Sequence, residues 1–233
     1  MFKIIYEDNY IFIIDKNYNL IVNNIKNDIN EINLINLIKE YYPKISNIVR
    51  NGIVHRIDKD TTGLLVIAKN NFSFNKLIES FINKKNIKIY ISLVCGKILY
   101  GNTIIKKIKR NKNKRLCMKV DNNGKLSITH YRIIKKFNLF SYIIIKIDTG
   151  RTHQIRVHMS YIKHPIIFDF KYGKNISCFT KIINYINKLN YPFYKRQCLH
   201  SYILYVYHPY YKKLIKFKSC IPYDIKNLLY LLK

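Results

Sequence analysis

The sequence is poor in alanine, glycine, tryptophan and acidic side chains. It has one alanine, Ala68, seven glycines, no tryptophan, and only 13 Asp and Glu against 42 Lys and Arg in 233 residues, for a formal net charge of +29. This excess excludes an ordinary neutral surface and predicts a polyanionic partner, either nucleic acid or an anionic membrane. Because Ile, Asn and Lys fill much of the chain, part of the charge reflects A/T-rich codon usage.

Arginine is therefore more informative than lysine, since only its guanidinium offers a planar fork of donors. The chain has eight arginines, and three of them, Arg56, Arg151 and Arg156, lie in the two polar segments described below.

Several other features are missing. The five cysteines include no C-x-x-C pair, so a zinc site has no starting point and a reducing compartment is expected. The N-terminal stretch carries Glu7, Asp8 and Asp15, which fits neither a signal nor a transit peptide. No apolar run approaches the ~18 residues of a membrane span. We therefore predict a cytoplasmic protein without membrane contact, and nucleic acid becomes the preferred polyanion.

Hydrophobic periodicity predicts a mixture of strands and helices. Strands are predicted at 2–8, 10–15, 52–57, 64–69, 88–96, 129–137, 140–148, 199–207 and 213–219, and helices at about 31–42, 71–85, after Thr152 as N-cap, and from about 222. Few clean βαβ units occur, so we predict an α+β fold, with a mostly antiparallel mixed central sheet flanked by helices around a catalytic cleft.

No repeat or Pro- or Gly-rich linker divides the chain, which predicts a single domain over residues 1–233. The lysine-rich stretch 106–119 is either a solvated hairpin or loop or a nucleic-acid contact.

The first polar segment is NGIVHRIDKDTTGLLVIAKN, residues 51–70. Charged side chains lie between two apolar runs, and such a loop is either a surface turn with local ion pairs or the wall of a cleft. Its D-x-D-x-T pattern from Asp58 also resembles phosphatases that use an aspartate beside Mg²⁺. That chemistry needs an apolar strand before the first Asp and further acidic ligands, whereas His55 and Arg56 precede it and later acids are sparse.

The second polar segment is TGRTHQIRVHMSYIKHPIIFDFKYG, residues 149–173. Arg151, His153, Gln154 and Arg156 crowd the start of a predicted helix, where donors suit a phosphate or a carboxylate. His153 and His158 are five residues apart and do not share a helix face, so a metal pair is not expected.

Together these segments resemble the two signature motifs of the RluA-type family of RNA pseudouridine synthases, and KIYISLVCG and RQCLHSYILYVYHP resemble neighbouring strands of that family. The resemblance covers essentially the whole chain. It implies conversion of uridine to pseudouridine in RNA, with neither metal nor cofactor. The implied substrate is large-subunit ribosomal RNA, with tRNA or another ribosomal site as the alternative.

The resemblance also implies residue roles. Asp58 is the nucleophile toward C1′ of the sugar or C6 of the base, and Arg156 pairs with it and keeps it ionised. Tyr90 stacks on the flipped base, and Arg56 enters the space that the base leaves. The remaining RNA-binding candidates are His55, Arg151, His153 and Gln154.

Two departures from the family are visible. The small RNA-binding S4 domain that many relatives carry is not expected in this chain, so affinity for RNA would depend on the basic surface. The segment 15–24 lacks the usual Pro, Gly and His of the family. A non-catalytic factor that binds ribosomal RNA and shares the fold remains the rival class, and a monomer is the default expectation.

Overall fold

The structure is a computed structural model that describes residues 2–22, 33–189 and 196–231. Its strands are β1 (Phe2–Glu7), β2 (Ile11–Lys16), β3 (Thr62–Ala68), β4 (Ile87–Cys95), β5 (Asn102–Arg110), β6 (Met118–Val120), β7 (Lys125–Lys136), β8 (Phe140–Ile147), β9 (Leu199–Tyr207) and β10 (Leu214–Lys218). Its α-helices are α1 (Leu34–Tyr41), α2 (Asn71–Ile82), α3 (Gln154–Tyr161), α4 (Phe170–Gly173), α5 (Ser177–Lys188) and α6 (Tyr223–Leu231). Mostly antiparallel strands with flanking helices confirm the predicted α+β class.

The chain forms two compact units, residues 1–88 with 201–220 and residues 89–200 with 221–233. In the first unit, β2 lies between β1 and β3 in antiparallel register, β9 follows β3, and β10 pairs with β9. Every residue of β3 is buried, and α2 packs against that strand. Its apolar spacing buries Phe74 and Leu77, as the helical period predicts.

In the second unit the strand order is β4, β8, β7, β5, β6, with antiparallel pairing from β8 to β6. Helix α3 packs against β5, β6 and β7. The sheet face under α3 includes Ile104, Ile108 and Tyr131, all of which are buried. Strand β5 overlaps the predicted hairpin or loop at 106–119, and lysines at 106, 107 and 109 obscure its apolar alternation in the sequence.

The predicted strand at 52–57 is wrong. Arg50, Asn51 and Gly52 all have positive φ, which ends any extended run, and only a single bridge between Ile53 and Ile67 touches β3. A side chain at Gly52 would place its Cβ 2.2 Å from the Ala68 carbonyl oxygen. The polypeptide therefore turns tightly before the charged loop and runs irregularly through it.

The other predicted elements agree closely with the observed bounds, and of the helix predicted at 31–42 the first two residues lie outside the described residues. In the described ranges, no helix has the length and apolar character needed to cross a membrane.

Candidate active site

The loop of residues 54–61 carries Asp58 and is fixed by a buried lysine of β2. Lys16 is 0% exposed, and its Nζ donates to the carbonyl oxygens of Asn17 at 2.8 Å, Leu20 at 2.9 Å and Lys59 at 2.8 Å. The amide of Leu20 also donates to the Lys59 carbonyl at 3.3 Å. A buried ammonium needs such oxygen partners, so Lys16 ties the residue after Asp58 to the segment that follows β2.

The loop closes with local hydrogen bonding and a glycine. The amide of Thr61 donates to the Asp58 carbonyl at 3.1 Å, which makes a turn around Lys59 and Asp60. Gly63 then has φ of +109°, and a Cβ there would lie 2.2 Å from the Ser201 carbonyl oxygen of β9. Glycine is required because β9 comes this close to the start of β3.

The His55 side chain is held by contacts within the protein, and its predicted RNA contact stays a prediction. Its Nε2 accepts a hydrogen bond from the Val66 amide of β3 at 3.1 Å, and its ring packs on Phe81 of α2 at 4.9 Å between centroids. Burial, with the nearby charge of Lys88 as a second cause, lowers the pKa of His55 to about 3. The histidine is therefore neutral and holds the loop onto β3 and α2.

Arg56 is exposed, whereas His55 and Asp58 are each of intermediate exposure. The loop thus turns one basic side chain inward as an anchor and the next outward toward solvent. An exposed guanidinium is free to stack on a base or bind a phosphate, so the structure is compatible with the predicted RNA contact of Arg56.

In the second unit, Arg156 forms a buried bidentate ion pair that the sequence analysis missed. Its Nε lies 2.7 Å from Oδ2 of Asp169, and its second guanidinium nitrogen, Nη2, lies 2.9 Å from Oδ1. Arg156 is 6% exposed and Asp169 is 1% exposed. The Tyr172 ring lies under the guanidinium, 5.1 Å from its central carbon. Two-point pairing fixes the plane of the guanidinium, while the predicted pairing with Asp58 stays a prediction.

Asp169 could have been found from the sequence, because it belongs to the same segment, 149–173, as Arg156. Spacing alone gives no signal for the pair, since the two residues are thirteen positions apart, which exceeds any helical side-chain spacing.

Gln154 makes four hydrogen bonds within the protein, which give it a structural role, and its predicted contact with RNA stays a prediction. Its Oε1 accepts from the Thr149 hydroxyl at 2.8 Å and the Arg151 amide at 3.1 Å. Its Nε2 donates to the Ile128 carbonyl at 2.9 Å and the Thr129 hydroxyl at 3.0 Å. These four bonds fill the capacity of the amide, and they fix the turn 149–153 on the end of β7.

The residue before α3 is His153 rather than the predicted cap Thr152. His153 has φ of 54° and makes no side-chain cap, so the chain enters the helix from the left-handed region. Its Nδ1 lies 2.7 Å from the Tyr172 hydroxyl, which also accepts from the Met118 amide at 2.8 Å. Burial raises the pKa of Tyr172, so the neutral phenol bridges His153 to β6.

Arg151 is the predicted RNA-binding residue of this segment that remains exposed. It lies on a cavity of about 440 Å³ together with Lys109, Arg110 and Lys125. Its Nε reaches the Leu126 carbonyl at 3.4 Å. Four basic side chains around one cavity suit phosphate groups, and two of them belong to the lysine-rich stretch 106–119, now seen as the hairpin of β5 and β6.

Tyr90, the predicted stacking tyrosine, lies on β4 and is buried. The strand around it is fixed within the second unit, where the Leu93 amide donates to the Cys198 carbonyl and the Ile167 amide donates to the Leu93 carbonyl. Among the described residues, no three His, Cys, Asp or Glu side chains gather into a group that could hold a metal ion.

This fold and these two segments agree with a family match. The family model for RNA pseudouridylate synthase matches residues 10–161, which is more than half of the chain. The chain belongs to the RNA pseudouridylate synthase family.

Curated relatives show which members of this family the chain is similar to. The chain is 43% identical over 236 residues to "Ribosomal large subunit pseudouridine synthase D" of Buchnera aphidicola subsp. Baizongia pistaciae, covering 99% of this chain and 72% of the relative. It is 37% identical over 232 residues to the protein of the same name in Escherichia coli K12, covering 97% and 69%.

Solved structures support the fold. Human RNA Pseudouridylate Synthase Domain Containing 1 superposes with a TM-score of 0.73 at 23% identity, over 96% of this chain and 84% of the human chain. The human Domain Containing 4 protein gives a TM-score of 0.72 at 20% identity, over 98% and 92%.

Proposed function

We propose that this chain isomerises uridine to pseudouridine in large-subunit ribosomal RNA. The observation that carries the proposal is the similarity along nearly the full chain to relatives named for that reaction, with the aspartate and arginine segments both present. The tRNA alternative and the non-catalytic alternative have no observation of their own in their favour.

In this proposal Asp58 attacks C1′ of the sugar or C6 of the base, and the bond between N1 and C1′ breaks. The uracil then turns and C5 bonds to C1′, the bond to Asp58 breaks to restore the carboxylate, C5 loses its proton and N1 takes one up. The nucleotide must first leave its helix, because stacking hides both reactive edges. Arg56 is an exposed residue of the loop, and it fills the vacated space. The role of Asp58 is supported by the loop geometry, since Lys16 and His55 hold the backbone on either side of it.

Arg156 and Tyr90 complete the proposed chemistry. The guanidinium of Arg156 carries five N–H donors, so its pair with Asp169 is compatible with a second carboxylate, the nucleophile. That pair sets the plane from which Arg156 would orient Asp58. Tyr90 provides a ring for the turned uracil, and its position in a strand rather than a loop suits a fixed stacking surface.

RNA affinity is proposed to come from the basic surface, including the cavity of Lys109, Arg110, Lys125 and Arg151. Such contacts release counterions, so binding should fall steeply with salt. We also propose that the protein works as a monomer in the cytoplasm. Its five cysteines, all in the described part of the chain, are free thiols, which suits a reducing compartment.

The test uses a ribosomal RNA transcript labelled with tritium at C5 of uridine, since formation of the new bond releases that hydrogen into water. Wild-type protein should release tritium, Asp58→Asn should release none above background, and the exposed control Glu40→Gln should match the wild type. Release by Asp58→Asn at the wild-type rate would refute the assigned nucleophile, and no release by the wild-type protein would refute the activity on this RNA.

A further inference from the structure

The first unit contains a cavity that the proposed chemistry does not use. It has a volume of about 340 Å³ and lies between one face of α2 and the β9–β10 turn, and we call it the α2–β9 pocket. Its lining includes Phe72, Lys76, Glu79, Lys85, Tyr207 and Lys212. None of its lining residues belongs to the loop of Asp58. Its volume is at the lower end of small-ligand pockets.

A buried amide outside the lining, that of Asn86, joins two lining residues of the α2–β9 pocket, Ser80 and Tyr207. Asn86 donates from Nδ2 to the Ser80 hydroxyl at 2.6 Å and accepts at Oδ1 from the Tyr207 amide at 2.7 Å. The Ser80 hydroxyl in turn donates to the Leu77 carbonyl at 2.8 Å. These bonds join α2 directly to β9, so the two walls keep a fixed separation without a ligand.

The turn on the other side is also held rigidly. Nδ1 of the fully buried His208 accepts from the amides of Tyr210 and Tyr211, and its Nε2 lies 2.8 Å from Oδ2 of Asp8. The Lys212 amide donates to the His208 carbonyl at 3.0 Å. The backbone that carries Lys212 is therefore fixed beside the pocket.

The lining chemistry combines an aromatic surface with positive charge. Phe72 is 51% exposed, and its ring is the most open apolar surface of the lining. The Tyr207 ring is covered by Lys85, whose Nζ lies 4.7 Å from the ring centroid. The lining has three lysines and one carboxylate, that of Glu79, whose Oε2 lies 3.0 Å from Nζ of Lys76. The Asn83 amide adds a group that can donate and accept hydrogen bonds.

We propose that the α2–β9 pocket binds one unpaired base of the RNA outside the target uridine, with the base on Phe72 and its flanking phosphates on Lys85 and Lys212. An open ring beside cations is the pattern by which proteins bind single-stranded nucleic acid, because every base has a stacking face and every nucleotide a phosphate. The rigid walls leave little ordering to be done on binding. This inference rests on the proposed RNA substrate and adds a second contact to it.

The test measures the dissociation constant of the full chain for two labelled RNAs, a 12-nucleotide oligouridylate and a 12-base-pair duplex, by fluorescence anisotropy. Phe72→Ala should weaken oligouridylate binding about ten-fold and leave duplex binding unchanged, because only an unpaired base can stack. Phe72→Tyr should restore the affinity. Ile82→Ala is the matched control, since Ile82 lies on the same helix, is 73% exposed and does not line the pocket.

Lys212→Ala should lower the slope of log affinity against log salt by about one on oligouridylate, as expected for one lost phosphate contact. A change of less than three-fold for Phe72→Ala on oligouridylate, or equal weakening on both RNAs, would overturn the proposal.

Tritium release by Ile82→Ala should match the wild type, because Ile82 lies outside both the pocket lining and the proposed chemistry. Binding and turnover are separate measurements. A protein that binds as predicted but releases no tritium would refute the proposed function and leave the pocket proposal intact. Normal tritium release by the wild type, together with no effect of Phe72→Ala on binding, would refute the pocket proposal and leave the proposed function intact.

Discussion

The Asp58 loop and the Arg156 segment are both polar, yet different kinds of contact hold them. In the loop, side chains bind the backbone: Lys16 holds three carbonyls, and His55 holds the Val66 amide. In the Arg156 segment, the main anchor is a side-chain ion pair with Asp169. Backbone anchors fix the path of a loop without fixing its outward side chains, whereas a bidentate pair fixes the side chain itself. The first suits residues that must meet a moving RNA, and the second suits one that must orient a partner.

This difference predicts that Arg156 substitutions have the largest cost. Arg156→Met leaves the buried Asp169 without its partner and should lower the free energy of unfolding by about 3–5 kcal/mol. Urea denaturation measures the loss. The double variant Arg156→Met/Asp169→Asn should regain much of the stability but no tritium release. If the double variant also regained turnover, Arg156 would serve the fold alone.

The next largest effect is expected for Lys16, and it should be concentrated in the Asp58 loop, residues 54–61. Lys16→Met removes a charged donor from three carbonyls, and one charged hydrogen bond is worth about 1.5–3 kcal/mol. We expect a stability loss of about 3 kcal/mol, with faster hydrogen exchange at residues 54–61 and lower kcat. The exposed lysine variant Lys44→Met is the control. Unchanged exchange in the loop would show that Lys16 does not hold it.

Gln154 is buried and Arg151 is exposed at the same turn, so the two residues test a structural role against an RNA-binding role. Gln154→Ala leaves buried groups without partners and should cost about 2–3 kcal/mol of stability, while RNA affinity at a temperature where it stays folded is unchanged. Arg151→Ala should leave stability unchanged but weaken RNA binding and reduce its salt slope by about one. Anisotropy and urea denaturation of both variants check the pair. The reverse pattern would contradict the assignment.

His158 gives the smallest effect. It is a buried residue of α3 with Nδ1 2.9 Å from the Thr129 hydroxyl of β7, and burial lowers its pKa to about 4. Because the unfolded state keeps the ordinary value of 6.5, it takes up a proton first as pH falls. Stability is therefore full above pH 6.5 and is lost between pH 6.5 and 4, by about 1–2 kcal/mol from pH 7 to pH 5. Urea denaturation of His158→Asn should show a smaller pH dependence, and equal dependence in both proteins would contradict this source.

Sequence reasoning reached the elements with clean periods, such as α2, β8 and β9, and the two segments that carry the chemistry. It failed where backbone conformation overrides pattern, as at Gly52, where three positive φ angles interrupt an apolar run. It also could not sort inward from outward residues. His55 and Arg56 are adjacent, as are His153 and Gln154, and only packing shows which one is an anchor. Lys16 was missed because a lysine among 42 basic residues gives no signal until its burial is seen.

Pseudouridine mapping at nucleotide resolution tests the central claim most directly. A transcript of large-subunit ribosomal RNA and a pool of tRNA would each be incubated with wild-type protein and with Asp58→Asn. The account predicts pseudouridine at discrete uridines of the ribosomal RNA with the wild type and at none with Asp58→Asn. Modification of tRNA alone, or equal modification by both proteins, would contradict it.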